Sequence, residues 1–377
     1  MRLYFTVCTI VTLYCILSVK SWHLRNNQLS PVIFVPGDGG SQVEAKLNKT
    51  TVVHYFCEKV STEYFNIWLN LELLVPVVID CWIDNMKLIY DNITRTTRNQ
   101  NGVDIRIPGW GDPFVVEYLD PSKASPGAYF KDISNMLVDE LGYIRNYSIH
   151  GAPYDFRKGP NENEEFFNKL KELVEETYRM NKQVPVTLLA HTVWGGSVKA
   201  LKVFAIGDDL GAYILRQNIL KDQQISSPSL GWLLPSRLFW KESEVLVQTQ
   251  QKNYTLSTLR DYLIDIGVPN AWEFRKDNEK YQLDFTAPGV EVHCLYGNNV
   301  DTVQKLYYKP GISIEGTPQL ISGDGDGTVN LRSLEGCKHW QGKQKRKIYS
   351  QVFPGVNHMN ILKNTDVLSY IKTVLKV

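Results

Sequence analysis

A short apolar segment in the middle of the chain is not followed by the tight turn that often comes after such a segment. Residues 184–190 read Val-Pro-Val-Thr-Leu-Leu-Ala and are typical of a buried strand in a parallel sheet. Where such a strand presents a serine nucleophile, a small residue stands two places before the serine and a glycine two places after it. Ala190 meets the first requirement, but Trp194 occupies the position of the glycine. The sequence therefore predicts a parallel sheet whose strand ends without a nucleophile.

Two hydroxyl side chains follow this strand, and neither is expected to attack a substrate. Thr192 stands at the right place, but its β-branched side chain tolerates the strained, positive-φ backbone of such a turn poorly. Ser197 comes after two glycines, at a predicted helix start, where serine commonly caps the first turn. We therefore predict that Ser197 is an N-cap.

The N-terminus and the charge balance indicate an exported protein. Residues 1–21 comprise Arg2, an apolar stretch and a polar end, which is the layout of a cleaved signal peptide, with a signal-anchor as the alternative. The formal net charge of +1 provides no field that would attract nucleic acid, so we expect no nucleic-acid partner. Glycosylation sequons occur at Asn48, Asn92, Asn146 and Asn253.

Four cysteines remain after the predicted signal peptide: Cys57, Cys81, Cys294 and Cys337. An even number of cysteines in an exported chain predicts disulfides, and four cysteines allow three pairings. The competing interpretation is a zinc site, but no C-x-x-C or H-x-x-x-H spacing supports it. The sequence predicts no metal site and no cofactor.

Strand and helix patterns alternate along the rest of the chain. Residues 32–35 form a buried-strand pattern that ends in a turn-rich loop, residues 36–40, at the edge where α/β sheets place their ligands. Apolar residues recur at helical spacing over 166–178 and 367–375, and we expect both stripes to face the core. This alternation predicts an α/β fold with a largely parallel sheet in a single domain, residues 22–377.

Long blocks of the sequence resemble the lecithin:cholesterol acyltransferase family, most closely its lysosomal phospholipase A / 1-O-acylceramide synthase branch. The blocks are residues 35–40, 66–74, 80–85, 150–157, 323–330 and 354–358. The resemblance implies an α/β-hydrolase fold with a mostly parallel sheet and two insertions, a membrane-binding cap at about 54–90 and a lid at about 207–235. It also implies the disulfides Cys57–Cys81 and Cys294–Cys337.

Compared with that family, a segment is missing after His191. The family strand ends in Ala-His-Ser-Met-Gly, then a helix and a strand follow, and Ala-Pro-Trp-Gly-Gly comes after them. This chain passes from Ala190-His191 directly to Trp194-Gly195-Gly196, with Thr192 at the junction. About 30 residues are absent, which is roughly the helix and second strand of a βαβ unit. Alternative splicing or an error in the gene model would explain the gap. We predict a core that is interrupted after residue 191 and a chain that folds poorly.

Two members of a catalytic triad are present in the order that the α/β-hydrolase fold uses. The resemblance implies that Asp326 is the triad acid and that His358 is the general base. A calcium loop is the alternative for Asp326, but an EF-hand needs glycine where Val329 stands. The resemblance also implies that the Asp38 N–H is one donor of the oxyanion hole.

Lipid contact is implied for two tryptophans. Trp68 lies in the apolar stretch between Cys57 and Cys81, where the family has its membrane-touching cap, and the resemblance implies that it or its neighbours enter lipid. Core packing is the alternative for this stretch. Trp194 would line the acyl-binding track.

The resemblance implies a lysosomal or secreted phospholipase A and lipid O-acyltransferase. Its partners would be a glycerophospholipid membrane or lipoprotein surface and a lipid alcohol such as ceramide, or water, as acyl acceptor, and the protein would be a monomer. Because the serine turn is absent, we expect this chain to be inactive. The alternative is a non-catalytic lipid-binding protein or a misspliced form.

Overall fold

The computed structural model describes residues 29–123, 125–210 and 218–375. The predicted signal peptide lies outside these ranges. The described strands are β1 (Val32–Val35), β2 (Val43–Leu47), β3 (Phe65–Trp68), β4 (Ile89–Asp91), β5 (Thr96–Arg98), β6 (Val103–Arg106), β7 (Ile149–Gly151), β8 (Thr187–Ala190), β9 (Val245–Gln248), β10 (Asn253–Thr255), β11 (Val292–Asn298), β12 (Thr302–Tyr307), β13 (Gln319–Gly323) and β14 (Ile348–Pro354).

The described α-helices are α1 (Ile79–Met86), α2 (Phe114–Glu117), α3 (Lys131–Leu141), α4 (Glu164–Met180), α5 (Val198–Ile206), α6 (Lys221–Gln224), α7 (Pro228–Trp232), α8 (Leu259–Asp265), α9 (Asn270–Asp277), α10 (Leu331–Leu334) and α11 (Thr365–Leu375). Short 3-10 turns lie at Leu71–Leu74, Ser125–Gly127, Pro160–Glu162, Leu256–Thr258, Glu279–Tyr281, Glu335–Trp340 and Asn360–Leu362.

Strand β1 lies at the centre of a parallel sheet of order β7-β1-β8. Successive strand residues point to opposite faces, and both faces of β1 are covered. Val32 and Phe34 pack in a core that includes α3 and α11, whereas Ile33 packs against Leu173 of α4. Helices therefore cover both faces of this sheet.

The parallel strands do not form one continuous sheet. Strands β11 and β14 pair in parallel with each other as a separate two-stranded sheet. The mixed α/β class predicted from the sequence is confirmed, but a single, mostly parallel sheet is not present among the described strands. The reason lies at β8, which is an edge strand: none of the described strands joins it to the β11–β14 pair.

The outer side of α4 and β8 is poorly covered. Leu188 of β8 is 50% exposed, and Phe167 and Tyr178 of α4 are also exposed. The prediction that the whole apolar stripe of residues 166–178 faces the core is therefore wrong at these two positions. The position of β8 at the edge of its sheet leaves Leu188 without a cover on that side.

A second core lies after the junction. It is built on the sheet β10-β9-β12-β13, with α5 and α8 packed on it. Part of the predicted lid belongs to this core, because Leu230 and Leu234 are buried there. Residues 211–217 of the predicted lid lie outside the described residues.

Candidate active site

The predicted acid and base meet at the ends of two strands. Asp326 follows β13, and His358 follows β14. The His358 Nδ1 atom lies 2.8 Å from Asp326 Oδ2, and the His358 N–H donates to the Asp326 carbonyl oxygen at 2.8 Å. The structure therefore brings together two residues that are separated by 32 positions in the sequence.

The Asp326 carboxylate is held in its charged form. Burial alone would raise the pKa of Asp326, but the hydrogen bond with His358 and backbone N–H groups lower it below its usual value. The Oδ1 atom accepts hydrogen bonds from the N–H groups of Thr328 at 3.0 Å and Val329 at 2.7 Å. A charged, oriented carboxylate can fix the tautomer of the histidine and stabilise its protonated form.

His191 faces His358 across the site. The two imidazole rings have centroids 4.4 Å apart, and His191 Nδ1 lies 2.5 Å from Tyr129 Oη. The Nε2 atom of His191 is buried and has no hydrogen-bond partner among the described residues. Burial, reinforced by the charge of His358, lowers the pKa of His191 to about 3. His191 is therefore a neutral ring that contacts His358.

The loop after β1 lies next to this pair of rings. The Gly37 N–H donates to Tyr129 Oη at 3.2 Å. A Cβ atom on Gly37 would stand 2.8 Å from the His191 carbonyl oxygen, so this close approach requires glycine. Within the described ranges, the Asp38 N–H donates no hydrogen bond to a backbone acceptor. Desolvation by the surrounding protein atoms, together with the Asp155 carboxylate, raises the pKa of Asp38 to about 7.

Among the described residues, no side-chain hydroxyl group forms a hydrogen bond with the His358 ring. Thr192 is exposed and borders a cavity of about 180 Å³ that His358 does not line. Val193 packs beside Tyr296 and Val329. In the part of the chain that the structure describes, His358 Nε2 has no hydrogen-bond partner.

Ser197 caps the helix that follows, as predicted. Its Oγ atom accepts from the Lys199 N–H at 3.1 Å at the start of α5. The same hydroxyl donates to the Thr328 carbonyl oxygen at 2.5 Å. This hydroxyl therefore uses its donor hydrogen and one acceptor site in structural contacts.

The two tryptophans predicted to contact lipid lie in different environments. Trp68 is only 9% exposed, and its indole N–H donates to the Gly39 carbonyl oxygen at 2.8 Å, so insertion of Trp68 into a bilayer is ruled out for this conformation. Trp194 lines the cavity at the junction and packs edge-on against Trp340, with ring centroids 5.0 Å apart.

Two disulfides connect the segments predicted from the resemblance. They are Cys57–Cys81, with a sulfur–sulfur distance of 2.01 Å, and Cys294–Cys337, at 2.06 Å. Apolar side chains flank the first disulfide at the surface. We call the following residues the cap surface: Tyr55, Phe56, Val60, Leu71, Val75 and Val77, all of which are exposed.

The predicted glycosylation sites lie on the surface of the protein. All four sequon residues, Asn48, Asn92, Asn146 and Asn253, are exposed. Within the described ranges, His, Cys, Asp and Glu side chains form no group of three or more that could hold a metal ion. None of the helices described is both long and apolar enough to cross a bilayer.

Sequence reasoning missed two residues of the site. His191 directly precedes the expected nucleophile, and this position could have placed it beside His358. Tyr129 carries no sequence signal, because it reaches the site only through the packing of its ring against Phe130 and His191.

Comparison with known proteins gives both a family and the place where the similarity breaks. The family model for lecithin:cholesterol acyltransferase matches residues 64–193, 192–285 and 276–365. The first break in this match falls at residues 192 and 193.

Relatives from two groups of enzymes align over most of the chain. The lysosomal phospholipase A and acyltransferase of Canis lupus familiaris is 42% identical over 375 residues, covering 92% of this chain and 91% of that protein. The mouse (Mus musculus) protein of the same name is 40% identical over 396 residues, covering 97% of this chain and 95% of its own length. The phosphatidylcholine-sterol acyltransferase of Gallus gallus is 36% identical over 366 residues, covering 89% and 88%.

The family model and these alignments each span well over half of the chain, and the predicted acid and base lie together after β13 and β14, two strands of different sheets. The chain belongs to the lecithin:cholesterol acyltransferase family.

Proposed function

We propose that this chain is a form of a phospholipase A and lipid O-acyltransferase in which the acid–base pair is present and the nucleophile is absent. The observation that carries the proposal is His358: its Nδ1 atom is paired with Asp326, while its ring faces His191. The chain would bind glycerophospholipid without transferring the acyl group.

The chemistry of the complete site follows from the roles of its parts. A serine hydroxyl would attack the ester carbonyl of a phospholipid while His358 Nε2 takes the serine proton. The Asp38 N–H would stabilise the negative charge that develops on the carbonyl oxygen; removal of one such donor costs about 3 kcal/mol. His358 would return the proton to the leaving alcohol, and water or a lipid alcohol such as ceramide would then take the acyl group from the serine. In this chain the first step lacks its hydroxyl.

The lengths of the alignments support a missing segment. The alignment with the dog protein extends over 375 residues, although 92% of 377 residues is only about 347 residues. About 28 positions of that alignment are therefore left without a residue of this chain. The break in the family match at residues 192 and 193 supports placing this gap at the junction.

The finer fold assignment belongs to the same proposal. We assign an α/β-hydrolase fold whose central sheet is interrupted after residue 191. Helices on both faces of the β7-β1-β8 sheet support this assignment, as does an acid after one strand and a histidine after a later one. The cap at about 54–90 and the second core after the junction would be insertions into that fold.

A fluorophosphonate probe tests the loss of the nucleophile. Such a probe labels a serine that is activated by a histidine, so we expect no covalent labelling of this chain and no acyl release from phosphatidylcholine vesicles. The His358→Ala variant is the control for background reaction. Labelling or acyl release that is lost in His358→Ala would contradict the proposal.

Phospholipid binding without catalysis is supported by a separate observation. The cap surface exposes apolar side chains around a disulfide, and Val77 is 71% exposed. Apolar residues at this density favour contact with a membrane or lipoprotein surface. The monomeric state and a lysosomal or extracellular location follow only from the family and remain part of the proposal.

Co-sedimentation with phosphatidylcholine vesicles tests this binding. We expect the full chain to sediment with vesicles and Val77→Asp to reduce the bound fraction several-fold, because a carboxylate must be dehydrated to enter the interface. Val290→Asp is a matched control, since Val290 is also exposed but lies far from the cap in sequence. Equal binding of the two variants would argue against the cap surface.

A further inference from the structure

A buried arginine outside the active site has one guanidinium nitrogen without a hydrogen-bond partner among the described residues. Arg275 lies on α9 and is only 7% exposed. Its Nη1 atom is buried without a hydrogen-bond partner among the described residues. Burial and the nearby charge of Arg237 lower the pKa of Arg275 to about 10, so the guanidinium is still charged at neutral pH. A buried charged donor without an acceptor is costly, and such a group commonly marks a place for a ligand or a water molecule.

The side chains around Arg275 form a small notch that is open at one side. Its volume is about 20 Å³, which is room for one atom the size of a water oxygen. The lining residues are Arg237, Trp272, Arg275, Lys276, Glu279 and Gln282. Three cations thus face a single carboxylate, and the notch has a positive excess.

Trp272 and Lys276 complete the wall of the notch. The Arg275 guanidinium lies 5.9 Å from the centre of the Trp272 ring, which holds it against an apolar surface. Lys276 and Arg237 are exposed at the mouth, and Lys276 Nζ keeps a long contact of 3.4 Å with Glu273. The inner donor is therefore buried, while the outer two charges lie where the rest of a ligand would be.

We propose that this notch binds an oxyanion, a phosphate or a carboxylate, with one oxygen accepting a hydrogen bond from Arg275 Nη1 and the others facing Arg237 and Lys276. Guanidinium groups suit phosphate and carboxylate oxygens because of their fixed, charged donors. None of the lining residues belongs to the Asp326–His358 site, so the proposal does not depend on catalysis.

The oxyanion could be free or attached to a lipid. Gln282 lines both the notch and the cavity of about 180 Å³ at the junction. That cavity is lined in part by Trp194, Leu238 and Leu283. An amphiphile could place its oxyanion in the notch and its chain in the cavity, whereas free phosphate would use the notch alone.

Isothermal titration of the full chain with inorganic phosphate and with monomeric decyl phosphate tests the site at constant ionic strength. We expect saturable binding that Arg275→Gln weakens about tenfold or more, as for loss of a charge-assisted hydrogen bond. Arg237→Gln should also weaken binding, and because Arg237 is exposed, this variant keeps the proposal testable if Arg275→Gln does not fold. Arg260→Gln, an exposed arginine on α8, is the control and should bind like the unmodified chain.

The two ligands separate the two sources of the oxyanion. Decyl phosphate that binds at least tenfold more tightly than phosphate supports a lipid ligand, and equal affinities support a free oxyanion. The proposal is overturned if neither ligand gives saturable binding, which leaves water as the occupant of the notch. It is also overturned if Arg237→Gln binds both ligands like Arg260→Gln.

Discussion

At the scale of single residues, the site combines a conventional acid–base pair with an unusual neighbour. Asp326 and His358 make the contact needed to prepare a histidine for general base catalysis. The His191 ring lies against the His358 ring. A hydrogen bond with Tyr129 holds the His191 ring in place. Without a serine between them, the two imidazoles form the interior of the site.

The buried His191 should make the stability of the chain depend on pH. Its pKa in the folded chain is about 3, below the value of about 6.5 expected when unfolded, so the unfolded chain binds a proton more readily between these values. This contribution to stability is complete above pH 6.5 and is lost as the pH falls. In His191→Gln, the decrease in the free energy of unfolding between pH 7 and pH 4.5 should be smaller by about 2 kcal/mol.

Denaturant unfolding at the two pH values measures this difference. Tyr129→Phe is the control, because it removes the hydrogen bond to His191 but keeps the buried imidazole beside His358. We expect Tyr129→Phe to keep the original pH dependence. An unchanged pH dependence in His191→Gln would show that His191 is already protonated in the folded chain or is open to water.

At the scale of secondary-structure elements, the main finding is that β8 is an edge strand of its sheet. Strand β8 pairs with β1 through residues 187–190 and has no partner strand on its other side among those described. Its free N–H and C=O groups must be hydrated, because unpaired backbone groups in a dry interior are costly. The same absence explains the exposed apolar residues of α4.

Two aliphatic residues paired across β1 and β8 test this arrangement. Ile33 and Leu188 are register partners, but Ile33 is 0% exposed and Leu188 is 50% exposed. Ile33→Ala should lower the free energy of unfolding by about 3 kcal/mol, as in a packed core. Leu188→Ala should lower it by about 1 kcal/mol or less, because half of that side chain is already in water.

Denaturant unfolding of the two variants gives the comparison directly. Similar large losses in both would mean that Leu188 is covered by protein, contrary to an edge position for β8.

At the scale of the whole molecule, the chain contains two large hydrophobic cores. The first surrounds β1, and the second surrounds the β10-β9-β12-β13 sheet. The proposed missing segment of about 30 residues would lie between β8 and α5 in the sequence. Here only Thr192 and Val193 lie between His191 and Trp194.

Insertion of the missing segment should therefore restore the reaction with the probe and raise the thermal stability of the chain. We predict that a chimaera with the corresponding stretch of about 30 residues from the dog relative, placed after His191, is labelled by a fluorophosphonate. Its thermal transition should be sharper and higher than that of the present chain, because the added strand pairs the free edge of β8. Scanning calorimetry and probe labelling measure the two effects.

The chimaera has its own control, in which the inserted serine is replaced by alanine. This control should lose labelling but keep the gain in thermal stability. A sharp, cooperative transition in the present chain, as high as that of the chimaera, would contradict the prediction that the chain folds poorly.

Particular residues show how far sequence reasoning reaches. Asp326 and His358 were predicted as partners because each stands in a distinctive motif, and Ser197 was predicted as a cap because its local sequence decides its hydrogen bond. Phe167 is exposed although the helical pattern predicts a core position, and Trp68 is buried, as in its core-packing alternative. Both are apolar residues whose exposure depends on which distant segment covers them. No local pattern contains that information.

The sequence by itself determined the family, the alternation of strands and helices, and the absence of a serine at the end of β8, because motifs and missing residues are properties of the covalent chain. Only the tertiary structure decided that the parallel strands separate into two sheets, that His191 packs against His358, and that Arg275 Nη1 is buried without a hydrogen-bond partner among the described residues. These outcomes depend on which surfaces cover one another and exclude water, and that depends on contacts between residues far apart in the sequence.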